Sequence, residues 1–141
     1  MRPLRWTKAH EVYLPQIDAE HRNLFQTADE LHRAILCEAD SDQVQAHLGA
    51  LISSVEEHFT HEERLMRSVG YPSFAWHKRQ HDGVRRTVKE LASRIEQGDP
   101  AAPTALLKYL SEWLRDHTGL TDRMMGAYLR NYERRHAALA S

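Results

Sequence analysis

Ten histidines in 141 residues is a high proportion, and five of them fall where an amphipathic helix keeps its leucines. A helix turns about 100° per residue, so spacing assigns each residue to a face. The apolar stripe of the first helical stretch, Leu24, Phe25, Ala28, Leu31, Ile35 and Leu36, is centred close to His21. The second stripe, Val44, Leu48, Leu51, Val55, Phe59, Leu65, Met66 and Val69, contains His58 and, one turn on, Glu62. Glu56, Glu57 and Glu63 point roughly to the other side of that helix. Phe74, Val84, Val88, Leu91 and Ile95 share a face with His77 and His81, and Leu106, Leu110, Trp113 and Leu114 lead to His117.

A single histidine on an apolar face is ordinarily a satisfied core residue. Five beside a buried acid are a different matter, because an ionised carboxylate in an apolar interior is costly unless it is paired or coordinates a metal. Clustered imidazoles repel one another when protonated and leave open acceptors when neutral. A cation satisfies all of them together, so the pattern points to a metal site.

Proline and glycine are scarce and act as punctuation between the periodic stretches. They predict an N-terminal loop with Pro3 and Pro15, then helices over about 18–37, 43–69, 73–97 and 104–135. Asp18, Ser73 and Thr104 are the expected N-caps, and Gly70 and Gly98 the expected stops. Short connections between long helices favour an antiparallel up-down-up-down four-helix bundle, all-α, in one domain spanning 1–141. In that arrangement the five histidines and Glu62 meet at one end.

Asp122 follows His117 by five residues, which in an ideal helix turns it about 140° away. A π-bulge or break near Thr118–Gly119 would rotate it back and align it with Met125, Leu129 and Tyr132. Without one, Met124 and Tyr128 face the core and Asp122 is a surface acid.

Composition excludes several other classes. A net charge of -1 gives no electrostatic case for nucleic acid or an anionic membrane. The segment from Met1 to Trp6 has no apolar secretory core, and no stretch is long and apolar enough to span a bilayer. The single Cys37 forms no internal disulfide and suits a reducing compartment. The expectation is a cytoplasmic protein.

Taken in order, the residues resemble the hemerythrin family, in the single-domain bacterial form called bacteriohemerythrin. The resemblance runs through Trp6, Ile17-Asp18-Ala19-Glu20-His21, His58-Phe59-Thr60-His61-Glu62-Glu63, Met66, Gly70-Tyr71-Pro72, His77 and His81, Trp113-Leu114, His117 and Asp122. It implies that His77, His81 and His117 bind one iron and that His21 and His58 bind a second. Glu62 and Asp122 would bridge the pair of non-haem ions, together with an oxo or hydroxo group. The second iron would keep an open position for dioxygen, between apolar walls from Phe25, Phe59, Trp113 and Leu114 that exclude water. Thr118 stands where the family usually has a bulky aliphatic residue, so the pocket admits water more readily or favours a reductive role.

The remaining histidines are assigned elsewhere: His61 to the flank of the site, His32 too deep to reach it, and His10, His47 and His136 to loops or the surface. Ferritin-like di-iron enzymes use two Glu-x-x-His pairs, and the only one here is Glu133 to His136 in the tail. Reversible oxygen binding leads. A di-iron redox enzyme reducing peroxide or nitric oxide with an external reductant, and a stand-alone sensor, remain open alternatives.

Overall fold

The computed structural model describes residues 5–140, without the side chain of Ala140. Pro3, placed in the N-terminal loop by the sequence, lies outside them. A short 3-10 helix (Lys8–His10) precedes α1 (Pro15–Leu36), α2 (Ser41–Ser68), α3 (Phe74–Glu96), α4 (Ala102–Gly119) and α5 (Thr121–Ala140). The first four helices form the antiparallel bundle, each packing on its neighbours in the ring α1–α2–α3–α4–α1, and α5 prolongs α4. No helix among the described residues is long and apolar enough to cross a membrane.

Several ends differ from their expected places. α1 starts at Pro15, whose fixed φ and missing N–H suit the first helical turn. Asp18 is therefore inside the helix, and its carboxylate instead accepts from the backbone N–H groups of Val12 (2.9 Å) and Tyr13 (3.1 Å). α2 begins at Ser41, with the Asp40 carboxylate accepting from Gln43 N. Ser73 occupies the N-cap of α3 without a side-chain capping bond. Thr104 lies within α4, which starts at Ala102 ahead of Pro103. Gly70 and Gly98 do end α2 and α3 with positive φ, and the bonds Tyr71 N→Met66 O and Asp99 N→Arg94 O close both ends as Schellman turns. Glu38 fills the same left-handed position after α1.

Two apolar clusters build the core. The larger joins Leu24, Phe25 and Leu31 to Leu51, Val55, Phe59, Val84, Leu106, Leu110 and Leu114. The smaller holds Val12, Ile17, Met66, Tyr71, Met125 and Leu129. Along α1 His21 falls between Ile17 and Leu24, and along α2 Glu62 falls between Phe59 and Met66, so a polar layer separates the clusters. Leu36, expected in the α1 stripe, is 68% exposed because it is the last residue of its helix.

Candidate metal centre

Leu120 breaks the fourth helix with φ -131° and ψ -68°. The break turns Asp122 inwards, the first of the two arrangements that the spacing allowed. Asp122, Met125 and Leu129 are buried, whereas Met124 is 46% exposed. Tyr132 is only half-buried, beyond the end of the core.

His21, His58, Glu62, His77, His81, His117 and Asp122 are all buried and converge in the polar layer. The carboxylates divide the imidazoles into two sets. Glu62 Oε1 lies 3.4 Å from His77 Nε2 and 3.2 Å from His81 Nε2. Its Oε2 lies 3.3 Å from His58 Nε2 and 3.8 Å from His21 Nε2. Asp122 repeats the division: Oδ1 is 2.9 Å from His117 Nε2 and 3.2 Å from His77 Nε2, and Oδ2 is 3.0 Å from His21 Nε2. Each carboxylate thus turns one oxygen to a three-histidine set and the other to a two-histidine set. Ligand atoms of Glu62, His77, His81 and His117 lie within 4.8 Å of one another, as do those of His21, His58, Glu62 and Asp122.

Three of the five imidazoles have their outer ring nitrogen anchored, while Nδ1 of His21 and of His77 is buried without a partner among the described residues. His58 Nδ1 meets Glu20 Oε1 at 2.7 Å, His81 Nδ1 meets Glu63 Oε2 at 2.8 Å, and His117 Nδ1 donates to Gln80 Oε1 at 2.9 Å. An Nδ1–H fixed in this way leaves Nε2 as a lone pair directed inwards, the arrangement of a metal-ligating imidazole. Despite their short distances from imidazole nitrogens, all four oxygens of Glu62 and Asp122 lack a hydrogen-bond partner, and so does His81 Nε2. Buried acceptors in this number need a cation, and the nitrogen-and-carboxylate donor set suits iron.

Without a cation these groups must share protons among themselves. Burial opposes charge on His58, but Glu62 and Glu20 outweigh it and hold the imidazole up at about 10. Burial is likewise overcome at His77, which Asp122 and Glu62 raise to about 9. Burial works to raise Glu62, yet the surrounding imidazoles hold its carboxyl well below the usual carboxylate range. At His117 burial wins over Asp122 and lowers the imidazole.

Residues 13–129 match the family described as the hemerythrin HHE cation binding domain. The chain belongs to the hemerythrin family. Among its hemerythrin relatives, bacteriohemerythrin of Ralstonia nicotianae is 32% identical over 126 residues, covering 89% of this chain and 88% of that protein. Myohemerythrin of Theromyzon tessulatum is 29% identical, covering 85% and 88%. A crystal structure of a hemerythrin variant superposes with a TM-score of 0.83 at 26% identity, covering 92% of this chain and 98% of that one.

The hemerythrin fold also settles positions that spacing misplaced. Glu63 is buried rather than solvated, because it bonds both His81 Nδ1 and Arg85 Nη1 (2.8 Å each). Arg85 reaches on to Glu56 and Asp82, and this arginine on α3 was the available signal that an acid on α2 faces it. His61 flanks the site as expected, with Nδ1 2.6 Å from Glu20 Oε2. His10, expected in a loop or on the surface, is buried instead, with Nδ1 2.9 Å from Thr118 Oγ1 and its ring edge-on to Phe25. Phe25, Phe59, Leu114 and Thr118 are buried and Trp113 partly so. Phe59 stacks on His81, with centroids 4.0 Å apart, and Trp113 stacks on His117 at 4.1 Å.

Proposed function

We propose that this protein binds dioxygen reversibly at a non-haem di-iron centre. The observation that carries the reading is the division of each carboxylate between two histidine sets. His77, His81 and His117 would hold one ion, His21 and His58 the other, and Glu62 and Asp122 would span both. The unequal sets leave the second ion one protein nitrogen short, which fits an open position for a small ligand. A pair of ferrous ions held there would supply the electrons for reversible dioxygen binding. The chain supplies the rest. Glu20, Glu63 and Gln80 fix the imidazoles of His58, His81 and His117 through Nδ1, and Phe59 and Trp113 stack on His81 and His117 and restrict their rotation. Phe25, Phe59, Trp113 and Leu114 form an apolar wall that keeps water from the bound ligand.

The experiment is to load iron anaerobically, add oxygen, then strip it off, following visible absorption and iron content. Two irons per chain and an absorption band that appears with oxygen and vanishes on its removal support a carrier. Two irons with immediate, irreversible oxidation favour the second reading, a redox enzyme for peroxide or nitric oxide, or a sensor. The hydroxyl of Thr118 in the wall is the observation on that side. No bound iron rejects both readings.

A further inference from the structure

The segment before α1 is fastened across the end of the bundle more firmly than a connecting loop requires. Arg123 Nε donates to Glu11 O (3.1 Å), and Arg130 Nη1 donates to Val12 O (2.9 Å) with its guanidinium 5.1 Å from the Tyr13 ring. Asp18 takes the N–H groups of Val12 and Tyr13, and Tyr13 adopts a φ of 62°. Gly126 marks how closely this strap lies on α5: a Cβ there would sit 2.8 Å from Val12 O. These bonds deliver His10 to α4.

At α4 the donor assignment is forced. Thr118 Oγ1 lies 2.6 Å from Leu114 O, and a carbonyl only accepts, so the single hydroxyl proton points there. The Thr118 oxygen must then accept from His10 Nδ1–H. Thr118 adjoins His117, is 1% exposed, and bonds a carbonyl of the proposed apolar wall, while His10 keeps 9% exposure. A hydrogen-bonded pair thus links the strap to the residue beside a proposed ligand, and its imidazole lies edge-on to Phe25 of the proposed apolar wall.

We propose that His10 and Thr118 form the passage by which small polar molecules, such as water and azide-sized anions, reach the metal pocket, and that the strap carrying His10 opens and closes it. This inference rests on the di-iron reading. A passage residue differs from a wall residue in its kinetics. Opening a path speeds binding and release equally and leaves the dissociation constant alone, whereas a lost contact in the pocket acts on release and affinity.

The probe is azide on the oxidised, iron-loaded protein, with both rate constants and the dissociation constant followed by absorption. Iron content is measured first in every variant. Arg130→Ala removes a strap anchor, and Gly126→Ala pushes the strap outwards. Each is expected to raise both rates roughly fivefold, the worth of about one hydrogen bond. His10→Phe with Thr118→Ile is expected to lower both rates to a similar degree, with the dissociation constant held within about twofold. Unchanged rates in iron-replete variants, or a change in release and affinity without one in binding, overturns the passage. Hydrogen exchange of the Glu11, Val12 and Tyr13 amides in the iron-free protein gives a second reading. Exchange by local opening, faster in Arg130→Ala, supports the moving strap. Exchange only through global unfolding rejects it, whatever the iron content. A wild-type protein that binds no iron defeats the di-iron reading instead.

Discussion

Glu62 and Glu63 are adjacent, buried and acidic, yet they do different work. Glu62 stands among four imidazole Nε2 atoms with neither oxygen hydrogen-bonded. Glu63 touches the outer nitrogen of one imidazole and shares its charge with Arg85. Glu63→Gln is therefore expected to weaken iron binding about 10- to 100-fold, the usual cost of losing a partner behind a ligand. Glu62→Gln should lose far more, because it removes a donor to both ions. Chelator competition with iron counting checks the order, and equal occupancy in the two variants would reject it. Protons give a second prediction. His58 and His77 are raised to about 10 and 9 in the cation-free site. A folded pKa above the unfolded value of about 6.5 adds stability that is full below 6.5 and fades as pH rises through the folded value. The melting temperature of iron-free protein should therefore fall between pH 7 and 10, and iron loading at pH 7 should release protons measurable in weak buffer. A melting temperature that rises over that range would contradict the assigned protonation. The five histidines and Glu62 could be read from sequence because each interrupts an apolar stripe, whereas Asp122 joins a stripe only if the helix breaks ahead of it. Glu63 could not, since its place depends on an arginine arriving from another helix.

At the scale of elements, the sequence located the helices well and their ends less well. Apolar periodicity integrates over many turns, whereas an end is decided by one or two residues with several suitable neighbours. Asp18 and Thr104 have the chemistry of caps, but the helices start just upstream, at Pro15 and at Ala102 with Pro103 in its first turn. The break at Leu120 was legible because Asp122, Met125 and Leu129 align only if the register shifts. The stop of α1 was legible to within a residue, but the left-handed turn at Glu38 was not, for nothing in its side chain favours φ 52°. It holds the position that Gly70 and Gly98 hold after α2 and α3, and Ala39 N→Ala34 O closes the same turn. Glu38→Gly is expected to stabilise the protein by about 0.5–1 kcal/mol, since glycine takes this conformation without a Cβ clash. Thermal unfolding of the iron-free form checks the gain. A loss of similar size would show that the turn carries no strain.

The whole molecule is two apolar clusters with the proposed metal site between them, so the metal should matter unequally to the two sides. The larger cluster is supplied by all four bundle helices and includes the biggest buried side chains, Phe25 and Phe59 among them. The smaller cluster draws on the strap, the start of α1, the end of α2 and the first turns of α5, and α5 packs chiefly against α4 across the break at Leu120. Asp122 is the inward polar anchor of α5. Bound to a cation, it would tie α5 to α1, α2 and α3 through their proposed ligands, and its oxygens have no hydrogen-bond partner among the described residues. At metal concentrations about a thousandfold above the dissociation constant, binding adds on the order of 4 kcal/mol. For a chain of this length, removing iron should then lower the melting temperature by on the order of 10 °C. Hydrogen exchange should show where that stability resides. In iron-free protein the amides of α5 and of residues 8–13 are expected to lose protection first, while Leu51 to Phe59 and Leu106 to Leu114 keep most of theirs. Uniform loss along the chain would mean that the metal stabilises one cooperative core. Loss confined to α5 and the strap would mean that the bundle folds on its larger cluster and that iron fastens the end which covers the site.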